Sequence, residues 1–161
     1  MALPALPTGD DHRLVDVDRD DGGALDTEQC LRLLRTSNVG RLALSVQALP
    51  VIVPVNFALD PRGIIVRTGA GREIDQACNR AVVGFEVDGY DPLSGRGWSV
   101  LVQGHARVLD QAADLAAAHR IGWTPWGSPS EDTFIEVSID VVTGRHLGGW
   151  YWHHGFPTLP A

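Results

Sequence analysis

The chain has 161 residues, 44% hydrophobic and 20% charged, the size and make-up of one globular domain with a core of its own. Its formal charge of −7 argues against partners that reward basic patches, such as duplex DNA and anionic membranes. All 13 basic residues are arginine, so Schiff-base lysine chemistry and a lysine P-loop are ruled out.

Residues 1–23 read as a solvated acidic tail, with an arm that docks on a partner as the alternative. Pro4, Pro7, Gly9, Gly22 and Gly23 interrupt structure, and Asp10, Asp11, Asp16, Asp18, Asp20 and Asp21 repel one another. Few apolar side chains there offset the entropy of ordering. Residues 24–161 read as a single domain. The first nine residues lack the basic-then-apolar order of a signal peptide, and no apolar run nears the ~20 residues of a membrane span. The expected location is the cytoplasm. Cys30 and Cys78 match no metal spacing; reduced thiols are expected, with a bridge between them left open.

Order is expected from Asp26. Asp26 caps a helix with Gln29 at its third position, and Cys30, Leu31, Leu33 and Leu34 form its apolar face. Asn38 and Gly40 end it. Strand-like runs follow over 41–46, 51–59 and 64–68. Pro54 inside the second points to an edge or a bulge, and Asp60-Pro61-Arg62-Gly63 is a turn. A short helix covers 72–79, and a strand covers 81–88. Gly, Pro and Ser make 89–97 a loop. A long strand, bent at Gly104, covers 98–109, and Asp110 caps a helix that runs to about Ile121. A loop spans 122–130, the last clear strand 133–143, and residues 144–161 have no period. Consecutive strands with short turns, without βαβ alternation, predict a mainly β fold: a small barrel of about six antiparallel strands with peripheral helices.

The segment with most chemistry runs from Ile64 to Glu73. A strand ends in Arg67-Thr68, turns through Gly69-Ala70-Gly71 and enters a helix at Arg72. Glycines let backbone N–H groups approach an anion, a helix start favours negative charge, and arginine forks suit phosphate. The same residues also make a plain strand–turn–helix connection with solvated arginines. Trp98 and Ser99, at the start of the long strand, could meet a planar ligand or plug the core. Asn56, in Val53-Pro54-Val55-Asn56-Phe57, could bond a heterocycle or a neighbouring backbone group. His105, His119, His146, His153 and His154 have no metal-ligand spacing, so no metal is expected. Ser, His and Asp residues have no nucleophile-elbow setting, and no catalytic residue is assigned.

In their order these segments resemble the pyridoxamine 5′-phosphate oxidase-like family of flavin-binding split β-barrels, and within it the actinobacterial branch. The resemblance spans about Leu25 to Gly144. It rests on Asn38-Val39-Gly40-Arg41-Leu42-Ala43, Pro54-Val55-Asn56-Phe57, Arg67 to Arg72 and Gly84-Phe85-Glu86-Val87-Asp88. Trp98-Ser99-Val100, Gly104-His105-Ala106 and Thr143-Gly144-Arg145 complete it. The resemblance implies a homodimer with two cofactor sites at the subunit interface. It implies FMN in most members, the deazaflavin F420 in some actinobacterial relatives and heme in a few. Thr68 and Arg72 match the family's phosphate-binding positions, with Arg72 where relatives often carry Lys. Arg67 stands where many relatives have an aromatic residue or His. The implied cofactor-binding set is Asn56, Arg67, Thr68, Gly71, Arg72, Trp98 and Ser99. The C-terminal Gly148-Gly149-Trp150-Tyr151-Trp152-His153-His154 lacks the family's Trp and Arg substrate motif, so vitamin B6 oxidation is not expected. The expected activity is flavin-dependent oxidation or reduction of a small planar organic molecule. The alternatives are an F420-dependent reductase of the same fold and a non-catalytic flavin- or heme-binding module.

Overall fold

The computed structural model describes residues 23–69, 72–123 and 133–148, with backbone alone for Arg72 and Gly148. The elements run β1 (Ala24–Leu25), α1 (Thr27–Leu34), β2 (Val39–Val46), β3 (Leu49–Asp60), β4 (Gly63–Thr68) and α2 (Arg72–Cys78). Then come β5 (Val82–Asp91), β6 (Arg96–Val108), α3 (Ala112–His119), β7 (Thr133–Val137) and β8 (Val141–Gly148).

The capping box predicts the start of α1 correctly. Asp26 accepts the Gln29 N–H at 2.7 Å, and the Gln29 side chain accepts the Asp26 N–H at 2.8 Å. The helix ends at Leu34, before the expected stop at Asn38: the Thr36 and Ser37 N–H groups bond three residues back, to the Leu33 carbonyl at 3.0 Å and the Leu34 carbonyl at 3.4 Å, rather than four. Order also begins before Asp26. β1 pairs with β8, Ala24 opposite Arg145, and the Gly23 carbonyl accepts the His146 N–H.

All strand pairs are antiparallel, in the order β1-β8-β6-β5-β2-β3-β4-β7, and β7 also pairs with β6. That last pairing closes β6, β5, β2, β3, β4 and β7 into a six-stranded barrel, and β8 with β1 continues the sheet outside it. The fold is the mainly β split barrel that the strand pattern predicts. β3 is paired with β4 only from Asn56 onward. Since the Phe57 N–H points to β2, strand alternation turns the Pro54 nitrogen to β3's open side, where no donor is needed.

Three further segments differ from the sequence reading. The expected loop 89–97 is mostly strand, and only Pro92 to Gly95 turn. Its glycines serve close contact instead. A Cβ on Gly89 would sit 2.6 Å from the Trp98 indole nitrogen, and one on Gly97 2.6 Å from the Gly89 carbonyl oxygen. The expected strand 133–143 is divided. From Ala106–Val137 to Gln103–Val141, β6 advances three residues and its partner four, a β-bulge at 138–140. Before it the chain closes the barrel; after it the chain leaves the barrel along the same strand. Asp110 does not cap α3: the N-cap is Gln111, without a side-chain cap bond, and Asp110 accepts from the Gln111 side chain instead.

The barrel interior holds Leu42, Val55, Phe57, Val66, Phe85, Val100 and Val102, with the Phe57 and Phe85 rings edge to face at 4.8 Å. Cys30 and Leu34 of α1 and Cys78 of α2 belong to this core, and both cysteines are free thiols. On the outside, α3 covers a second cluster of Ile65, Leu109, Ala118 and Phe134. Arg62 and Arg107 both pair with Asp114 and Glu136, fastening α3 over that cluster. No helix among the described residues is long and apolar enough to cross a membrane.

Candidate functional site

Residues opposite one another in antiparallel strands share a face, and neighbours along a strand do not. Asn56, Arg67 and Phe134 form one row across β3, β4 and β7. Phe134 belongs to the cluster under α3, so this row faces outward. Asn56 is buried, and its Nδ2 donates to the Asn38 carbonyl at 3.1 Å. Thr68 points the other way, toward the barrel end. It is buried, and it pairs in register with Thr133. The Thr133 hydroxyl donates to Asp75 of α2 at 3.1 Å. The turn after Thr68 leads into α2, whose first residue is Arg72. Gly71, the Arg72 side chain, Trp126, Trp150, Trp152, His153 and His154 lie outside the described residues.

Asp75 is a residue that sequence reading misses at this end. Its Oδ1 is buried with no partner among the described residues, and burial raises its pKa above the ordinary carboxylate value. A lone Asp in an amphipathic helix carries no signal of this; only the packing of α2 against β7 creates it. Burial, then Asp75, pushes the Cys78 thiol up to about 11.

Trp98 and Ser99 lie elsewhere. Eight residues of strand, on the order of 25 Å, separate Trp98 from Ala106, where the chain leaving α2 is bonded through the Arg80 N–H. Trp98 packs on the core side against Gly89, while Ser99 faces outward. The Ser99 hydroxyl donates to Glu86 at 3.2 Å, and Arg41 pairs with Glu86 at 2.9 Å and with Asp88. Arg41, Glu86 and Asp88 stand on alternating positions of adjacent strands, a period-2 signal that places them on Ser99's face. One chain therefore brings Asn56, Arg67 and Thr68 to neighbouring strands, and keeps Trp98 and Ser99 apart from them.

His105, Ser138 and Asp140 do meet, which sequence reading does not foresee. His105 Nδ1 is 2.7 Å from Asp140, but the Ser138 hydroxyl accepts the His105 backbone N–H at 2.9 Å. The hydroxyl is held by backbone, so the trio pins the bulge and is not a nucleophile–base pair.

The family model described as pyridoxamine 5′-phosphate oxidase matches residues 26–146. The chain belongs to that family. A structure described as the FAD binding protein from Mycobacterium smegmatis is 32% identical, with a TM-score of 0.69 over 80% of this chain and 100% of that one. A conserved protein of unknown function, DIP1874 from Corynebacterium diphtheriae, is 31% identical, with a TM-score of 0.66 over 78% of this chain and 98% of that one. The uncharacterized protein Rv0080 of Mycobacterium tuberculosis is 32% identical over 128 residues, covering 76% of this chain and 84% of that one. The match runs from the α1 cap at Asp26 to His146 in β8, through every barrel strand and all three helices.

Proposed function

We propose that this chain binds a flavin through the 5′-phosphate that FMN and FAD share, and acts on a small planar organic substrate as an oxidoreductase. The carrying observation is its 32% identity, over the whole length of that protein, to a structure described as FAD binding. The donors that suit an anion are Thr68, which ends β4, and Arg72, which opens α2; Arg67 stands with Asn56 on the other face of β4. Guanidinium forks and a hydroxyl suit a phosphate monoester. Asn56 would orient a ring edge through its Oδ1, its Nδ2 being held by the Asn38 carbonyl, and Ser99 would line a second wall, with Trp98 on the opposite face of β6. A bound flavin supplies the hydride or electron chemistry, which asks the protein for position and hydrogen bonds rather than a general acid or base. The family's name does not carry pyridoxamine oxidation to this chain, because one fold hosts many activities.

The reading includes a homodimer. Ser99, on the outer face, lies too far from α2 to complete a site within one chain, so a second copy supplies it. Ile52, Ala43, Gly84, Gln103 and Val141 form one outer row across β3, β2, β5, β6 and β8. Ile52, Val82, Leu101 and Val141 are exposed on this face, and small residues at its centre permit close approach. Residues 1–22 are proposed to lie outside the cofactor-binding domain, Gly23 being bonded to β8, and the protein to act in the cytoplasm.

The test is binding of FMN, FAD and riboflavin to the wild type and to Arg72→Ala. Loss of a charge-assisted contact costs about 1.5–3 kcal/mol, roughly one to two decades of affinity, for FMN and FAD but not for riboflavin. Equal loss for all three, or no flavin binding at all, overturns the reading. Anaerobic mixing of the loaded protein with NADH or NADPH then tests redox turnover. Flavin reduced and reoxidised no faster than in free solution removes the enzyme claim.

A further inference from the structure

At the far end of the β5–β6 hairpin lies an open depression of about 400 Å³ whose lining includes Gly89, Tyr90, Asp91, Arg96, Trp98 and His146. Its volume is in the lower range of small-molecule sites. The row Gly89–Trp98–His146 crosses β5, β6 and β8 on the face opposite Ser99. The depression is therefore separate from the apolar outer face offered to a second copy.

Its construction is specific. A Cβ on Gly89 would lie 2.6 to 2.9 Å from three indole atoms of Trp98. The indole thus rests directly on bare backbone, which only glycine allows. Trp98 is half-buried, and its Nε1 has no acceptor among the described residues. A tryptophan that merely filled the core would bury that nitrogen against a partner. Tyr90, 64% exposed, stands opposite Gly97 on Ser99's face. Arg96 stands directly opposite Asp91, yet the Asp91 carboxylate is turned into the hairpin. It accepts the Leu93 N–H at 2.9 Å and the Ser94 hydroxyl at 2.6 Å. Arg96 therefore makes no ion pair among the described residues, in a chain of net charge −7. His146 adds a ring nitrogen from β8.

We propose that this depression binds the adenylate group of a nucleotide, with the base against Trp98 and the phosphate on Arg96 and His146. An accessible indole face stacks a nucleobase whatever its identity, and a guanidinium beside it, without an ion pair among the described residues, binds phosphate by its fork. Two sources carry that chemistry: the adenylate half of FAD and that of a pyridine dinucleotide electron donor. The site itself does not depend on the flavin reading; only the choice between these sources does.

The probe is AMP, titrated by calorimetry into the full-length protein, with adenosine and inorganic phosphate for comparison. AMP is expected to bind more tightly than either fragment. Arg96→Gln and Trp98→Leu are each expected to weaken it on the order of tenfold or more. Arg96 is exposed, so its variant keeps the fold, and unchanged melting of Arg96→Gln confirms it. AMP that fails to bind at millimolar concentration, or binds both variants as well as wild type, overturns the proposal. Arg96→Gln weakening FAD but not FMN assigns the site to the cofactor. Arg96→Gln weakening NADH or NADPH with FAD unchanged assigns it to the donor. AMP binding without flavin binding upholds the site while refuting the proposed function, and flavin binding without AMP does the reverse.

Discussion

Gly104→Ala tests the register at which the barrel splits. A Cβ at this position would fall on the Ser138 carbonyl oxygen and its carbon, backbone atoms that cannot rotate away. Relief requires β6 and the bulge to part. That breaks the Ser138 N–H to His105 carbonyl bond at 3.0 Å, the Asp140 N–H to Gln103 carbonyl bond at 3.1 Å and the His105 N–H to Ser138 hydroxyl bond at 2.9 Å. At about 1 kcal/mol each the loss is about 3 kcal/mol. The stiffer unfolded chain returns at most about 1 kcal/mol, leaving about 2 kcal/mol of destabilisation. In a domain of this size that lowers Tm by on the order of 5–10 °C, measured by calorimetry or circular dichroism. Gly122→Ala is the control: an added Cβ there meets nothing within 4 Å, and Tm stays level or rises. A Gly104→Ala variant as stable as wild type would refute both the close approach and the bulge that depends on it.

Cys78, buried and with its pKa pushed up to about 11, stays protonated and unreactive toward a thiol reagent at pH 8; Cys30, also buried and raised, behaves alike, and both react after denaturation. One rapid equivalent from the native protein contradicts this. Asp140 is held below its ordinary pKa by His105 and then by Ser138. Its folded pKa is lower than its unfolded one, so its contribution is full above about pH 4 and is lost as pH falls through the folded value. Asp140→Asn should flatten the acid limb of a stability–pH curve, and an unchanged limb rejects the assignment. A chain starting at Gly23, which keeps the Gly23 carbonyl for the His146 N–H, should retain Tm and flavin affinity; a large fall in either shows that the removed residues dock.

Several features were legible in the sequence because their causes are local. The Asp26–Gln29 capping box, the Asp60–Gly63 turn and the alternation along β2, β5 and β6 each depend on residues a few positions apart. The ordered segments that carry the family resemblance were legible for the same reason: they are strings of adjacent residues. The strand order, the bulge and the faces were decided by tertiary structure. Gly89 and Gly97 read as loop residues, yet they are strand residues kept bare for an indole and a carbonyl from the neighbouring strand. Trp98 and Ser99 read as one ligand wall, and the pleat sends them to opposite faces. The alternation of 133–143 continues through Ser138 and Asp140, while the chain there adds a residue against β6 and divides into β7 and β8. Local sequence sets which residues alternate and where the chain turns. Register, partner and burial come from contacts between residues far apart in the chain, and a shift of one position would exchange every inward side chain for an outward one.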